Sequence, residues 1–331
     1  MTTRARPEQQ DLFVIDLADV APRDDLASME HPLFSLTPNP DGRSLVYETP
    51  NTKVEIVPSG KGLPTIFDKD ILIFCISRLM DAKNRGEKIS KRLQFSAHDL
   101  LLSTRRRTGG AEYTRLREAF TRLQGTQFIT DIQTGGKGET RMFSMFDEAG
   151  FHFDMSGKKM RVSHCEVVLS DWVMRSIEAN EVVQIAPEYF DLRRPLDRRL
   201  YEIARKHCGK QSAFEIGLDK LQAKTGSNTA QKQFRRYIRE AIKRDNLPFY
   251  RLELDERDKV TFRPRKPMVN VAKEIRLSQD TLERGHGILK DKGWDSQTKA
   301  REWQAYAAKN PPNNPDGAFI GWCNKQRDLR R

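Results

Sequence analysis

The order helix, strand, helix, turn, helix, hairpin occurs twice along this chain, about 130 residues apart, and limits the available folds more than any other feature. The first copy opens at Asp68, which supplies a cap. Ile71, Phe74, Cys75 and Leu79 then fall at i, i+3, i+4 and i+8, the period of a helix that ends near Asn84-Arg85-Gly86. Arg92–Phe95 reads as a short strand, Ser96 as the cap of a brief helix containing Leu100-Leu101-Leu102, and Arg105–Gly110 as a turn. A longer helix follows from Ala111 to Gln124, with Tyr113, Leu116, Phe120 and Leu123 on one face. Thr126–Ile132 and Arg141–Phe146 alternate as strands do, and the glycine-rich Thr134–Glu139 forms the hairpin tip between them.

The second copy runs from a helix over Pro195–His207, ended by Cys208-Gly209, to a short strand at Phe214–Ile216 and a small helix at Leu218–Lys224. Thr225–Asn228 is its turn and Thr229–Arg244 its long helix. Phe249–Leu254 and Lys259–Arg263 pair across Asp255–Asp258.

This order is that of a winged helix-turn-helix. The expected fold class is α+β and helix-rich, with two winged helix-turn-helix domains, a β-containing bridge and a helical C-terminal tail. The expected divisions are a flexible arm over 1–27, a first winged-helix domain over 28–150 that includes a β element around Lys53–Val57, and a bridging segment over 151–194. A second winged-helix domain over 195–267 and a helical region over 268–331 complete the chain. Within the bridge, Arg161–Leu169 and Val182–Ile185 read as strands and Asp171–Ala179 as a helix. In the last region Ser278–Lys290, Ser296–Lys309 and Asp316–Arg327 read as helices.

Lys and Arg number 58 against 46 Asp and Glu, a net charge of +12. An excess of that size points to a polyanionic partner, most commonly nucleic acid. The longest apolar run, Ile71–Ile76, is stopped by Ser77-Arg78, well short of the roughly 18 residues that span a bilayer. Met1–Pro7 lacks the apolar core of a secretory signal, so neither a membrane nor a secreted protein is expected. Cys75, Cys165, Cys208 and Cys323 stand apart with no C-x-x-C pair, which predicts reduced thiols in a cytoplasm rather than a zinc or disulfide framework. No catalytic constellation emerges. Gly135-Gly136-Lys137-Gly138 lacks the spacing of a nucleotide-phosphate loop, the histidines are isolated from one another, and Asp24-Asp25 reads as a surface pair. The expectation is a protein that is not an enzyme and that uses no cofactor and no metal.

The Thr229–Arg244 helix carries the sharpest signal. At 100° per residue Phe234, Ile238, Ala241 and Ile242 cluster on one side, while Lys232, Arg235, Arg236, Arg239 and Lys243 gather roughly 120° away. An apolar rear and a cationic front suit a helix lying in a major groove about 12 Å wide. Asn228, Thr229 and Gln231 stand at its start, where backbone N–H groups favour a phosphate. In the first copy, Arg115 and Arg122 lie seven apart on the expected outer side of the helix, Arg105, Arg106 and Arg107 fill the preceding turn, and Lys137 sits at the hairpin tip. These residues fit DNA contact and a structural or dimerising role equally.

On three segments the chain resembles the plasmid replication initiator protein A family, part of the wider group of Rep-type initiators with tandem winged helices. They are Phe67-Asp68-Lys69-Asp70-Ile71-Leu72-Ile73-Phe74, Pro195-Leu196-Asp197-Arg198-Arg199-Leu200-Tyr201-Glu202 through Gly209, and Ala318-Phe319-Ile320-Gly321-Trp322-Cys323. The resemblance covers nearly all of 60–331. It implies binding to plasmid origin DNA, opening of an adjacent AT-rich stretch, and recruitment of a host initiator and replicative helicase without nucleotide hydrolysis. It also implies homodimers that repress their own gene beside monomers that bind the origin. The predicted function is therefore a cytoplasmic initiator of plasmid DNA replication. The alternatives are a transcriptional repressor on the same scaffold, a relaxase or nuclease, and a protein in which one module serves only to dimerise.

Overall fold

The computed structural model describes residues 12–14, 20–37, 41–49, 52–84, 87–131, 141–156, 159–209, 211–265, 277–294, 299–300, 302–304, 307, 312 and 314–326. At its centre lies α2 (Lys69–Asn84), in which every residue from Lys69 to Met80 is buried. An apolar stripe alone would bury one side of a helix. Here the helix is enclosed all round, so its polar Lys69, Asp70, Ser77 and Arg78 are interior residues as well.

The first module continues through β5 (Arg92–Phe95), α3 (Ala97–Ser103) and α4 (Gly110–Gly125). The Ser96 hydroxyl accepts the Asp99 N–H and so caps α3. A file of phenylalanines fills the interior, with ring centroids 5.2 Å apart for Phe74 and Phe95, 6.4 Å for Phe95 and Phe120, and 4.9 Å for Phe120 and Phe151.

The hairpin that completes this module is not the expected one. β8 (Phe146–Ser156) and β9 (Lys159–Leu169) form it, in a sheet of order β1-β5-β9-β8 where β1 is Leu12–Val14. Leu93 stands opposite Val167, and Phe95 opposite Cys165. The strands expected to be the wing, β6 (Gln127–Thr130) and β7 (Arg141–Phe143), pair with one another but join a different sheet. Its order is β3-β4-β6-β7, with β3 (Leu45–Thr49) and β4 (Thr52–Val57) drawn from the N-terminal region. Val54, Ile56 and Phe128 make one buried face there, and this non-local burial decides the partner. Arg161–Leu169, expected in a bridge, thus belongs to the first module, and residue 150 lies inside β8. The tip at 132–140, with Lys137, is outside the described residues.

The end of the expected arm is also structured. β2 (Arg23–Asp25) pairs with β10 (Val182–Gln184), and α1 (Leu26–Glu30) follows, capped by the Asp25 carboxylate on the Ser28 N–H. Asp24 and Asp25 are buried rather than a surface pair, because Lys69 and the α1 N-terminus hold them inside. α5 (Asp171–Glu178) and a 3-10 turn (Pro187–Asp191) lead to the second module.

That module is α6 (Pro195–Cys208), β11 (Phe214–Gly217), α7 (Leu218–Thr225), α8 (Gln231–Arg244), β12 (Tyr250–Leu254) and β13 (Lys259–Pro264). Its sheet order, β11-β13-β12, repeats that of β5-β9-β8. Gly226 ends α7 at φ +75°, and a Cβ there would stand 2.7 Å from Pro32 and 3.0 Å from the Tyr47 hydroxyl. Only glycine suits both the left-handed turn and that approach.

The chain divides into two compact bodies, Met1–Arg265 and Lys266–Arg331. The second contains α9 (Gln279–Asp291), helical residues at 299–300, 302–304 and 307, and α10 (Pro315–Lys325). Trp303 packs on Phe319 with ring centroids 5.0 Å apart, and Cys323 is buried beside them. The Lys292 ammonium donates to the carbonyls of Asn324 at 2.6 Å and Gln326 at 2.9 Å, closing the end of α10. Among the described residues no helix is long and apolar enough to cross a membrane.

Candidate nucleic-acid interface

α8 has the two faces its sequence demands. Phe234, Ile238 and Ala241 are buried against the second module's core. Lys232, Arg236, Arg239 and Lys243 are exposed. With 14 residues the helix is about 21 Å long, and it carries no acidic residue in its first turn. Among the described residues Lys232, Arg239 and Lys243 make no ion pair. Arg236 contacts Glu240 at 3.5 Å while remaining 64% exposed, a pair that solvent largely screens. Arg235 differs from its expected outward, free position. It is half-buried and bonded to Asp258, which the hairpin turn holds at φ +59°.

The helix begins at Gln231 rather than Thr229. Asn228 and Thr229 lie exposed in the α7–α8 turn, where the Gln222 side chain donates to the Thr229 carbonyl at 2.5 Å and the Ser227 and Thr229 hydroxyls meet at 3.0 Å. Gln231 is exposed at the first helical position.

The first module's arginines are placed differently from expectation. Arg122 does not lie on the outer side of α4. Its guanidinium is buried and grips Asp68, the residue before α2, through bonds of 2.7 and 2.9 Å. Arg106 is also turned inward, donating to Asp70 at 2.8 Å and to the Phe67 carbonyl. Arg105 stays exposed but is bonded to Asp191, and Arg115 is exposed and bonded to Glu112. Arg107 is exposed. Beside Arg115, the outward residues of α4 include Thr114, Arg117, Thr121 and Gln124.

Sequence reasoning missed a buried charge network between α2 and α6. The Lys69 ammonium bonds Asp24 at 2.7 Å and Glu202 at 3.0 Å, all three being buried. Burial pushes the Asp24 carboxyl up to about 8 against the pull of Lys69. Burial also opposes ionisation of Glu202, but Lys69 and Arg199 together hold its carboxyl below the usual range. Arg198 reaches from α6 to Asp70 at 2.5 Å, with its guanidinium over the rings of Phe67 at 4.5 Å and Tyr189 at 4.9 Å. Arg199 donates to the carbonyls of Ser28, Met29 and Lys224, fastening α1 and α7 to α6. Arg244, at the end of α8, bonds Asp197 at 2.6 Å. Half-charged interiors of this kind stabilise weakly overall but fix one arrangement, since any other would strand a charge. The two modules are therefore held in one relation. The available signal was that Lys69, Asp70, Arg198, Arg199 and Glu202 lie within two of the three segments that resemble the family, while Asp24 and Arg244 lie outside them.

The comparisons bear on this framework directly. The model of the Replication initiator protein A family matches residues 23–252. The "Putative replication protein" of Wigglesworthia glossinidia brevipalpis is 36% identical over 260 residues, covering 77% of this chain and 94% of that protein. Domains 2 and 3 of RctB, in a crystal structure of selenomethionine derivatives, superpose with a TM-score of 0.56 at 14% identity, over 72% of this chain and 98% of that one; the likeness is one of fold. The chain, a body of mixed helices and sheets matched over residues 23–252, belongs to the Replication initiator protein A family.

Proposed function

We propose that this chain starts plasmid replication by binding double-stranded origin DNA through two winged helices, α8 serving as the principal recognition helix. The observation that supports the reading most is the front of α8. Lys232, Arg239 and Lys243 are exposed with no ion pair among the described residues, on a helix whose rear is fixed in its own core. A cationic helix about 21 Å long and about 10–12 Å across can lie along a major groove about 12 Å wide. The sheet orders β5-β9-β8 and β11-β13-β12, each following a three-helix set, fit the winged-helix description of both modules.

In this reading the protein works by binding and not by chemistry. Origin opening and recruitment of the host initiator and replicative helicase follow from holding DNA, and the reading assigns no catalytic step, cofactor or metal. The body's interior network keeps α4 and α8 at fixed separation, which suits a composite site on one duplex.

The test is equilibrium binding to duplex fragments from the DNA flanking the gene. With roughly eight phosphates engaged, log K should fall against log salt with a slope of about −7. A flat salt dependence refutes the cationic front, and retention of a plasmid lacking the gene refutes the initiator role.

A further inference from the structure

Two consecutive arginines, Arg193 and Arg194, lie between the modules and are exposed. Arg193 lines a cleft of about 420 Å³ beside Glu112 and Arg115 at the amino-terminal end of α4. Arg194 turns the other way, its guanidinium 3.6 Å from Glu240 in the middle of α8 and its side chain 58% exposed. One dipeptide thus faces both long helices.

We propose that Arg193 and Arg194 form a phosphate-binding step that carries one DNA strand from α4 to α8; this deepens, and rests on, the DNA-binding reading above. The neighbouring carboxylates are matched except Glu118, which lines the same cleft. Glu112 is bonded to Arg115, Asp191 to Arg105, and Glu240 is shared among Arg194, Arg236 and Arg244 at 3.5 to 4.0 Å. Arg193 remains exposed without an ion pair among the described residues, and the cleft it lines holds five arginines against four carboxylates, so the lining is positive by one. Arg193 faces the start of α4 and Arg194 the middle of α8, and a duplex strand offers a phosphate about every 3.4 Å of axis. The step can therefore hold two phosphates of one strand. It reads no base, and its contribution is the same for any sequence.

The experiment compares the full chain with Arg193→Ala/Arg194→Ala on duplexes from the DNA flanking the gene and on unrelated duplexes of equal length, between about 50 and 200 mM salt. The expected result is a salt slope less steep by about 2, equal weakening on both duplexes, and an unchanged thermal midpoint. Arg193→Lys/Arg194→Lys should keep the slope, since a phosphate accepts either cation. Should the double alanine variant lower the midpoint through the Arg194–Glu240 contact, Arg193→Ala alone must still lessen the slope by about 1. An unchanged slope overturns the step, and so does loss of slope in the lysine variant. If the wild-type chain itself binds without salt dependence, the DNA reading fails. If it binds steeply, and Arg239→Ala weakens it while the alanine pair does not, the step alone fails.

Discussion

Asp70→Asn is the sharpest probe of the buried network. The substitution keeps the shape of the side chain and removes the charge that neutralises Arg198 at 2.5 Å. Arg198 is buried, with 2% of its side chain exposed, and a guanidinium cannot shed its proton to escape. Two unit charges about 4 Å apart attract by about 4 kcal/mol at an effective dielectric of 20, and stranding one buried charge generally costs about 3–5 kcal/mol. Arg198 would keep the Leu192 carbonyl at 2.9 Å and the faces of Phe67 and Tyr189, so the lower end applies, about 3 kcal/mol. Arg106, the other partner of Asp70, is partly exposed and can turn to water. The expected fall in thermal midpoint is about 6–12 °C for a body of this size. Urea unfolding of wild type, Asp70→Asn, Arg198→Met and the double variant gives the cycle. The double variant should recover much of the loss, with a coupling of about 2 kcal/mol. A single-variant cost below about 1 kcal/mol, or strict additivity, would refute the account.

Three further outcomes are expected. Arg239→Ala should weaken DNA binding by about 1–3 kcal/mol with stability unchanged. Arg122→Ala should instead destabilise by about 3 kcal/mol through the stranded Asp68, so binding titrations and urea melts on both variants separate the roles. For Asp24, whose folded-state pKa of about 8 lies above the ordinary 3.8, the stabilisation is full at low pH and is lost as pH rises toward 8. Wild type should therefore lose stability relative to Asp24→Asn between pH 5 and pH 8, and parallel profiles would contradict this. Gly285→Ala places a methyl against the buried Phe319 ring, and should destabilise the second body by about 1–2 kcal/mol net of its better helix propensity. Circular dichroism melts of the full chain would show an earlier transition for that variant.

The local periodicities were readable in the sequence. Pro195–His207, Leu218–Lys224 and the span ending at Arg244 lie within a residue or two of α6, α7 and α8, because apolar spacing and the Gly209 and Gly226 stops are local signals. Partner choice was not readable. Alternation marks Gln127–Thr130 as a strand, but its neighbour is Val54–Val57, some 70 residues upstream, while the hairpin that pairs with β5 has its second strand beyond residue 158. Charge was the other blind spot. Arg122, Arg198 and Asp24 look like surface residues until a matching charge is found across the fold, and no spacing rule supplies that match. The front of α8 was legible because amphipathicity is local, and Arg235 departed from it through a contact with a hairpin turn 23 residues away.

Because α2 and α6 are fastened by interior side chains and not by a tether, the rotation between α4 and α8 is a property of the protein. If both helices recognise DNA as proposed, the duplex must bring its two grooves round to that same angle. Adding about five base pairs between the two contacts turns one of them half a revolution away, whereas adding a full turn of about 10.5 restores the facing. On the DNA-binding proposal, the spacing between the two contacts is then set by a handful of charged residues inside the protein.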